Sequence, residues 1–146
     1  MKPINNNYFE GILQLRNVSQ DILDFAINSI EKKENTNIAN VKKVINGFDI
    51  YMAPQTFLRS LGNKLKRKFG GQLVISTRLH TKNNLTSKDV YRVNALFRMA
   101  NFKVGDIIDY KGDKIKIMSI RQRVSVKNIK TGKIRKIDFK QLINLN

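Results

Sequence analysis

Pro54-Gln55-Thr56-Phe57-Leu58-Arg59-Ser60-Leu61-Gly62-Asn63-Lys64-Leu65-Lys66-Arg67-Lys68-Phe69-Gly70-Gly71 is the stretch on which the fold turns. Proline has a fixed φ and no amide hydrogen, so Pro54 suits the first turn of a helix, and paired glycines suit its end. The spacing predicts a helix from Pro54 to Phe69. At 100° per residue, Phe57, Leu58, Leu61, Leu65 and Phe69 fall within about 120° of one face. Arg59, Asn63, Lys66 and Arg67 lie opposite. Such a helix needs an apolar layer beneath it and keeps a basic back free of the core.

The flanks supply that layer. On the N-terminal side, residues 41–45 and 48–52 read as strands around Asn46-Gly47, a hairpin signal because both turn positions favour positive φ. Glu34 to Asn40 reads as loop. Before it, Ile22, Leu23, Ala26, Ile27 and Ile30 form a helical stripe, with Ser19 as cap, Asp21 and Asp24 in the first turn, and Lys32 and Lys33 at the end. Residues 8–16 alternate Phe9, Leu13 and Leu15 against Glu10, Gln14 and Arg16, the pattern of a strand with one buried face.

On the C-terminal side, residues 72–79 form a strand. Residues 91–99 alternate Tyr91, Val93, Ala95, Phe97 and Met99 inward with Arg92, Asn94, Leu96 and Arg98 outward. The polar run 80–89 reads as a loop between them. The order is β-α-β-β-α-β-β, and an antiparallel sheet with both helices packed on one face would bury both stripes.

From Lys103 the texture changes. Gly105-Asp106, Gly112-Asp113 and Thr131-Gly132-Lys133 punctuate short strands near 106–110, 114–120, 122–128 and 133–138. About five short strands with turns this close predict a small all-β SH3-like barrel. The fold class is therefore α+β, with an α/β domain over 1–100 and the barrel over 101–146.

The 146 residues include 28 Lys and Arg, 11 Asp and Glu, one His and no Cys, for a net charge of +17. Residues 1–49 hold six basic and six acidic side chains. Residues 50–105 hold eleven basic and one acidic, and 106–146 eleven basic and four acidic. An excess confined to part of the chain is the footprint of a polyanion partner. The bland alternative is a solvated basic surface on a soluble protein.

The cations fall into three clusters. The helix carries Arg59, Lys64, Lys66, Arg67 and Lys68. The long loop region carries Arg78, His80, Lys82, Lys88 and Arg92. The C-terminal part carries Lys114, Lys116, Arg121, Arg123, Lys127, Lys130, Lys133, Arg135 and Lys136. Such groups neutralise phosphates without reading sequence. With no run of outward aromatics for stacking, structured RNA recognised by shape and backbone is the expected target.

Chemistry has little to stand on. Absence of Cys removes thiolate metal sites, disulfides and cysteine nucleophiles. His80 sits beside Arg78 and Lys82, which oppose its protonation and leave it no acidic partner for general-base work. Asp106, Asp109 and Asp113 match no metal-loop spacing, and Asp106 and Asp113 fit turns. Gly70-Gly71 follows a helix, so it reads as a stop and not as a phosphate cradle. Neither a P-loop nor a nucleophile-elbow pattern occurs. No enzyme, cofactor, metal or small-molecule substrate is expected. No apolar run nears the ~20 residues of a membrane span, and the polar start Met1-Lys2-Pro3-Ile4-Asn5 is unlike a signal peptide, so a cytoplasmic protein is expected.

Five segments carry a family likeness in a familiar order: Tyr8-Phe9-Glu10-Gly11-Ile12-Leu13-Gln14-Leu15-Arg16, Asn46-Gly47-Phe48-Asp49-Ile50-Tyr51, Lys68-Phe69-Gly70-Gly71, Thr86-Ser87-Lys88-Asp89-Val90-Tyr91-Arg92, and Phe102-Lys103-Val104-Gly105-Asp106-Ile107-Ile108. Over nearly its whole length the chain resembles the Nmd-type family (nonsense-mediated decay protein three), the nuclear export adaptor of the large ribosomal subunit, and is most like its archaeal branch. The resemblance implies a ribosomal-protein-like α/β domain followed by a barrel similar to part of translation initiation factor five-A. It also implies binding to ribosomal RNA and ribosomal proteins of the large subunit during late maturation, by a protein that is a monomer off the ribosome. Lys88, Tyr91 and Arg92 are the motif positions it carries over; with Tyr91 expected inward, Lys88 and Arg92 are the contact residues. Family members characteristically begin with a cysteine-rich zinc region, which this cysteine-free chain does not contain. The family's eukaryotic members end in a leucine-rich export signal, and Leu142-Ile143-Asn144-Leu145-Asn146 is too short for one. A structured-RNA module without ribosome preference is the alternative.

Overall fold

The computed structural model describes residues 7–83 and 88–143, excluding the side chains of 79–90. Chain order begins with β1 (Gly11–Arg16), α1 (Gln20–Lys32), β2 (Asn37–Val44), β3 (Gly47–Ala53), α2 (Gln55–Phe69), β4 (Gln72–Asn83) and β5 (Lys88–Arg98). These strands make one five-stranded sheet in the order β2-β3-β1-β5-β4. The predicted sequence of elements is reproduced.

The sheet is mixed and not antiparallel as expected. Strand β1 is antiparallel to β3 but parallel to β5. The cause is the α2 crossover. A β-α-β crossover returns the chain in its original direction. Here it carries the chain over β1 to the far edge, so the β4–β5 hairpin comes back with β5 running along β1.

Leu13 and Leu15 of β1, Ile50 and Met52 of β3, and Val93, Ala95 and Phe97 of β5 form one buried cluster with residues of both helices. Those helical residues are Ile22, Leu23, Ala26 and Ile30 of α1 and Leu58, Leu61 and Leu65 of α2. The opposite sheet face, carrying Ile12, Gln14, Arg16, Arg92, Asn94, Leu96 and Arg98, is not covered by α1 or α2. Helix α2 begins after Pro54 and stops at Gly70, whose φ is 75°, as its sequence requires. Ser19 stands at the start of α1 as expected, but its side chain makes no capping bond.

Three local expectations are corrected. Strand β2 starts within the expected loop, at Asn37. The hairpin turn is Ile45-Asn46, with Asn46 at φ 62° and Val44 paired to Gly47. Gly47 belongs to the strand; a Cβ there would lie 1.7 Å from the Leu15 carbonyl oxygen, so glycine serves close strand approach instead of the turn. The expected 80–89 loop is largely strand: β4 continues to Asn83 and β5 starts at Lys88. Because β1 joins β5 only from Val93 onward, the pairs from Arg78↔Arg92 to Asn83↔Lys88 form a two-stranded ribbon. Helices do not cover this part, and Tyr91, expected inward, is 48% exposed.

The remaining elements are β6 (Ile107–Tyr110), β7 (Asp113–Ile120), β8 (Arg123–Asn128), β9 (Ile134–Asp138) and α3 (Phe139–Ile143). The four strands pair in sequence order as an open antiparallel sheet. The barrel expected here is not formed: β6 and β9, its two edges, do not pair. Four strands are too few to close, and where another strand would be needed the chain turns into α3. Phe139 and Leu142 of α3 join Phe102, Tyr110, Ile115, Ile117, Val124, Val126 and Ile137 in a second buried cluster. Turn residues Lys111 and Gly112, both at positive φ, set the β6–β7 hairpin.

Hydrogen bonds link the two sheets. The buried Gln72 amide donates to the carbonyls of Arg121 and Gln122, at 3.1 and 2.8 Å. The Lys66 ammonium donates to the Ile120 carbonyl at 2.8 Å.

Candidate nucleic-acid interface

Strand parity builds the first cationic surface. In β5, inward Val93, Ala95 and Phe97 leave Arg92 and Arg98 on the face away from α1 and α2. Arg92 pairs across the ladder with Arg78 of β4, and Arg98 with Arg16 of β1. Like charges directly opposite one another on a sheet repel, so the Arg78–Arg92 pair lowers the cost of bringing up an anion. At the other pair the Asp49 carboxylate, 2.8 Å from Arg16, offsets part of the repulsion. The Arg92 guanidinium carbon lies 3.9 Å from the Phe9 ring centroid, and Phe9 meets Tyr51 edge-on at 5.0 Å. Lys42 sits 5.0 Å over Tyr51. Cations already cover these two rings, which suits backbone binding better than base stacking.

The same logic applies to the second sheet. With Ile115, Ile117, Val124 and Val126 inward, the outer face presents Lys116 directly opposite Lys127. Lys136 lies beside Ser125 on the next strand. Arg121, Lys130 and Lys133 occupy exposed turns. Arg123 is exposed but committed, donating to the Asp138 carboxylate at 3.1 Å and to the Lys136 carbonyl. Arg135 lies 5.5 Å over the Tyr110 ring.

On α2, Lys64 and Arg67 are exposed and Arg59 is half-buried. Lys64 is 5.4 Å over Phe25. Lys66, expected on the free basic back, is instead committed to the Ile120 carbonyl. Helix α2 and the Arg78–Arg92 pair lie on opposite sides of the sheet, so the expected clusters do not merge into one patch. The backbones of His80 and Lys82 run in β4 and that of Lys88 in β5; their side chains lie outside the described residues.

Two of the three aspartates weighed as metal ligands have structural partners. Asp106 accepts the Lys103 amide at 2.8 Å, and Asp109 pairs with Lys114 at 3.4 Å.

Sequence reasoning left Arg16, Arg98 and Lys140 out of the site. These line a cleft with Asn17 and Asn46 where α3 meets the end of the first sheet. The outward parity of Arg16 and Arg98 was legible; that they are neighbours depends on β1–β5 pairing, which strand periodicity does not encode.

The arrangement defines a class: an α+β scaffold whose uncovered sheet faces carry cations in opposed pairs. The family model for the second domain of NMD3 matches residues 8–99, from just before β1 to the end of β5. The chain belongs to the NMD3 family. No curated protein matches it significantly. Among the described residues, no helix is long and apolar enough to cross a membrane.

Proposed function

We propose that this chain is a non-catalytic adaptor that binds the large ribosomal subunit late in its maturation, seating on ribosomal RNA and neighbouring ribosomal proteins. Membership of the NMD3 family carries this reading, because that family is generally one of adaptors and is linked to ribosome export and maturation. The charge pattern supports RNA as the direct partner. Arg78, His80, Lys82, Lys88 and Arg92 would engage the backbone from the ribbon end of the first sheet. Lys116, Arg121, Lys127, Lys130, Lys133 and Arg135 would do so from the second, with Arg59, Lys64 and Arg67 on α2 as a separate patch. Lys66 and Arg123 are already engaged within the protein. Two hydrophobic clusters support two domains, 1–100 and 101–146, the second an open sheet. The protein would act in the cytoplasm, as a monomer off the ribosome, without cofactor or small-molecule substrate.

Co-sedimentation with purified small and large subunits tests the reading. Several phosphate contacts imply roughly a 10³-fold or larger loss of affinity between about 50 and 200 mM salt. Retention on the large subunit against excess unrelated structured RNA is expected. Equal loss from both subunits would leave a general structured-RNA module instead.

A further inference from the structure

We infer that the cleft bounded by Arg16, Arg98 and Lys140 is a phosphate site that receives one phosphodiester of a bound RNA backbone. The inference rests on the RNA reading above and assigns a contact that reading did not contain.

Three observations carry it. First, β1 and β5 run parallel with Arg16 directly beside Arg98 on the face away from α1 and α2. Second, the two arginines differ in their partners. One terminal nitrogen of Arg16 is held by the Asp49 carboxylate at 2.8 Å and by the Leu15 and Phe48 carbonyls, which fixes the guanidinium in place. A guanidinium has five N–H donors, so this anchoring leaves others available. Arg98 has no carboxylate within ion-pair distance among the described residues; its charge rests 5.9 Å from the Phe139 ring. Burial first, and the charge of Arg16 second, lower its pKa. Third, Lys140 of α3 adds a cation from the other sheet's unit, and Asn17 and Asn46 add polar groups to a lining whose apolar part is Ile45 and Ile143.

With Asp49 offsetting Arg16, the cleft retains two positive charges uncompensated among the described residues. A tetrahedral anion fits this better than a neutral polar group, since guanidinium forks bond phosphate oxygens in pairs. Arg16 is pre-positioned by its own hydrogen bonds, so binding would order little beyond Arg98 and Lys140.

The test uses the full chain, labelled with 15N at arginine, and follows the side-chain Nε–H signals. Inorganic phosphate is one probe, with chloride at equal ionic strength as control; a structured RNA is the other. Both probes are expected to shift Arg16 and Arg98. Lys140→Gln, at an exposed position, is expected to keep the fold and lower the salt slope of RNA binding by about one. Arg98→Gln should do the same, checked by circular dichroism because of its Phe139 contact. Lys127→Gln, far from the cleft in the ladder, separates the two readings. If it weakens RNA binding while Lys140→Gln and Arg98→Gln do not, the cleft assignment is overturned and the RNA reading stands. Shifts with inorganic phosphate alone overturn the phosphodiester assignment in favour of a free-phosphate site. No RNA binding by the unmodified chain overturns both.

Discussion

Glu10 shows what a single residue can do that its place in the sequence conceals. By alternation it is the polar side of a strand. In the fold its carboxylate accepts the Gln55 backbone amide at 2.7 Å, at the start of α2, and also accepts the Tyr8 hydroxyl. Helix α2 has no acidic residue in its first turn and no side-chain cap from Pro54, so a residue 45 positions away satisfies that donor. Glu10→Ala should cost about 0.5–2 kcal/mol, as loss of a cap does, lowering the urea midpoint with the slope unchanged. The hydrogen bond to Glu10 is the main reason the Tyr8 pKa is raised above its ordinary value. A phenol raised in the folded state contributes its stability below its unfolded pKa, near 10, and loses it as pH rises through the folded value. In Glu10→Ala that alkaline component should move back toward the ordinary range.

At the scale of elements, what was legible had a local signal. Helix α2 was read almost to the residue because a 3.6-residue stripe, a proline and a Gly-Gly stop agree with one another. Strand β5 showed its faces by alternation from Arg92 to Arg98, while Tyr91, expected inward, is exposed. What failed was non-local: the partner of β1, the continuation of β4 and β5 through polar residues, and whether the last strands close. A ribbon such as 78–83 with 88–92 needs no apolar face, so hydrophobic alternation cannot mark it. In the same way, turn spacing counts strands but cannot say whether the outermost two meet. Within α2, Lys66 and Arg67 look equivalent in sequence, yet only Lys66 has a described partner across the two sheets. Lys66→Ala should destabilise the second sheet by about 1 kcal/mol, the net worth of a typical hydrogen bond, and speed hydrogen exchange in β7 and β8. Arg67→Ala should stay within about 0.5 kcal/mol. Equal effects from the two would mean that the link to Ile120 contributes nothing.

The whole molecule carries +17 charges, some in opposed pairs on its open faces. Self-repulsion of this kind is screened by salt, with a Debye length of about 10 Å at 0.1 M. The free protein should therefore become more stable between about 50 and 200 mM sodium chloride, while its RNA affinity falls over the same range. Relief of about 1 kcal/mol would raise the melting midpoint by roughly 2–4 °C for a chain near this size. A melting point that is flat or falling with salt would show that the opposed cations are not strained in the free state. The asymmetry of charge along the chain was plain in the sequence; that part of it falls into facing pairs required the register.

Placing β5 beside β1 has a consequence for how the protein is made. Gly11 pairs with Val93, so β1 leaves the ribosome well before β5 and must wait for that strand, the last of its sheet in chain order, before its second edge is closed. Long-range pairings of this kind carry a loop-closure cost and slow folding. Until β5 emerges, the nascent chain can assemble only β1, β2, β3 and the two helices, with an open backbone edge and Leu13 and Leu15 incompletely covered. Completion of the first sheet is thus timed by translation of residues 88–98, and a pause before that point would prolong the interval in which the growing chain is most exposed to mispairing.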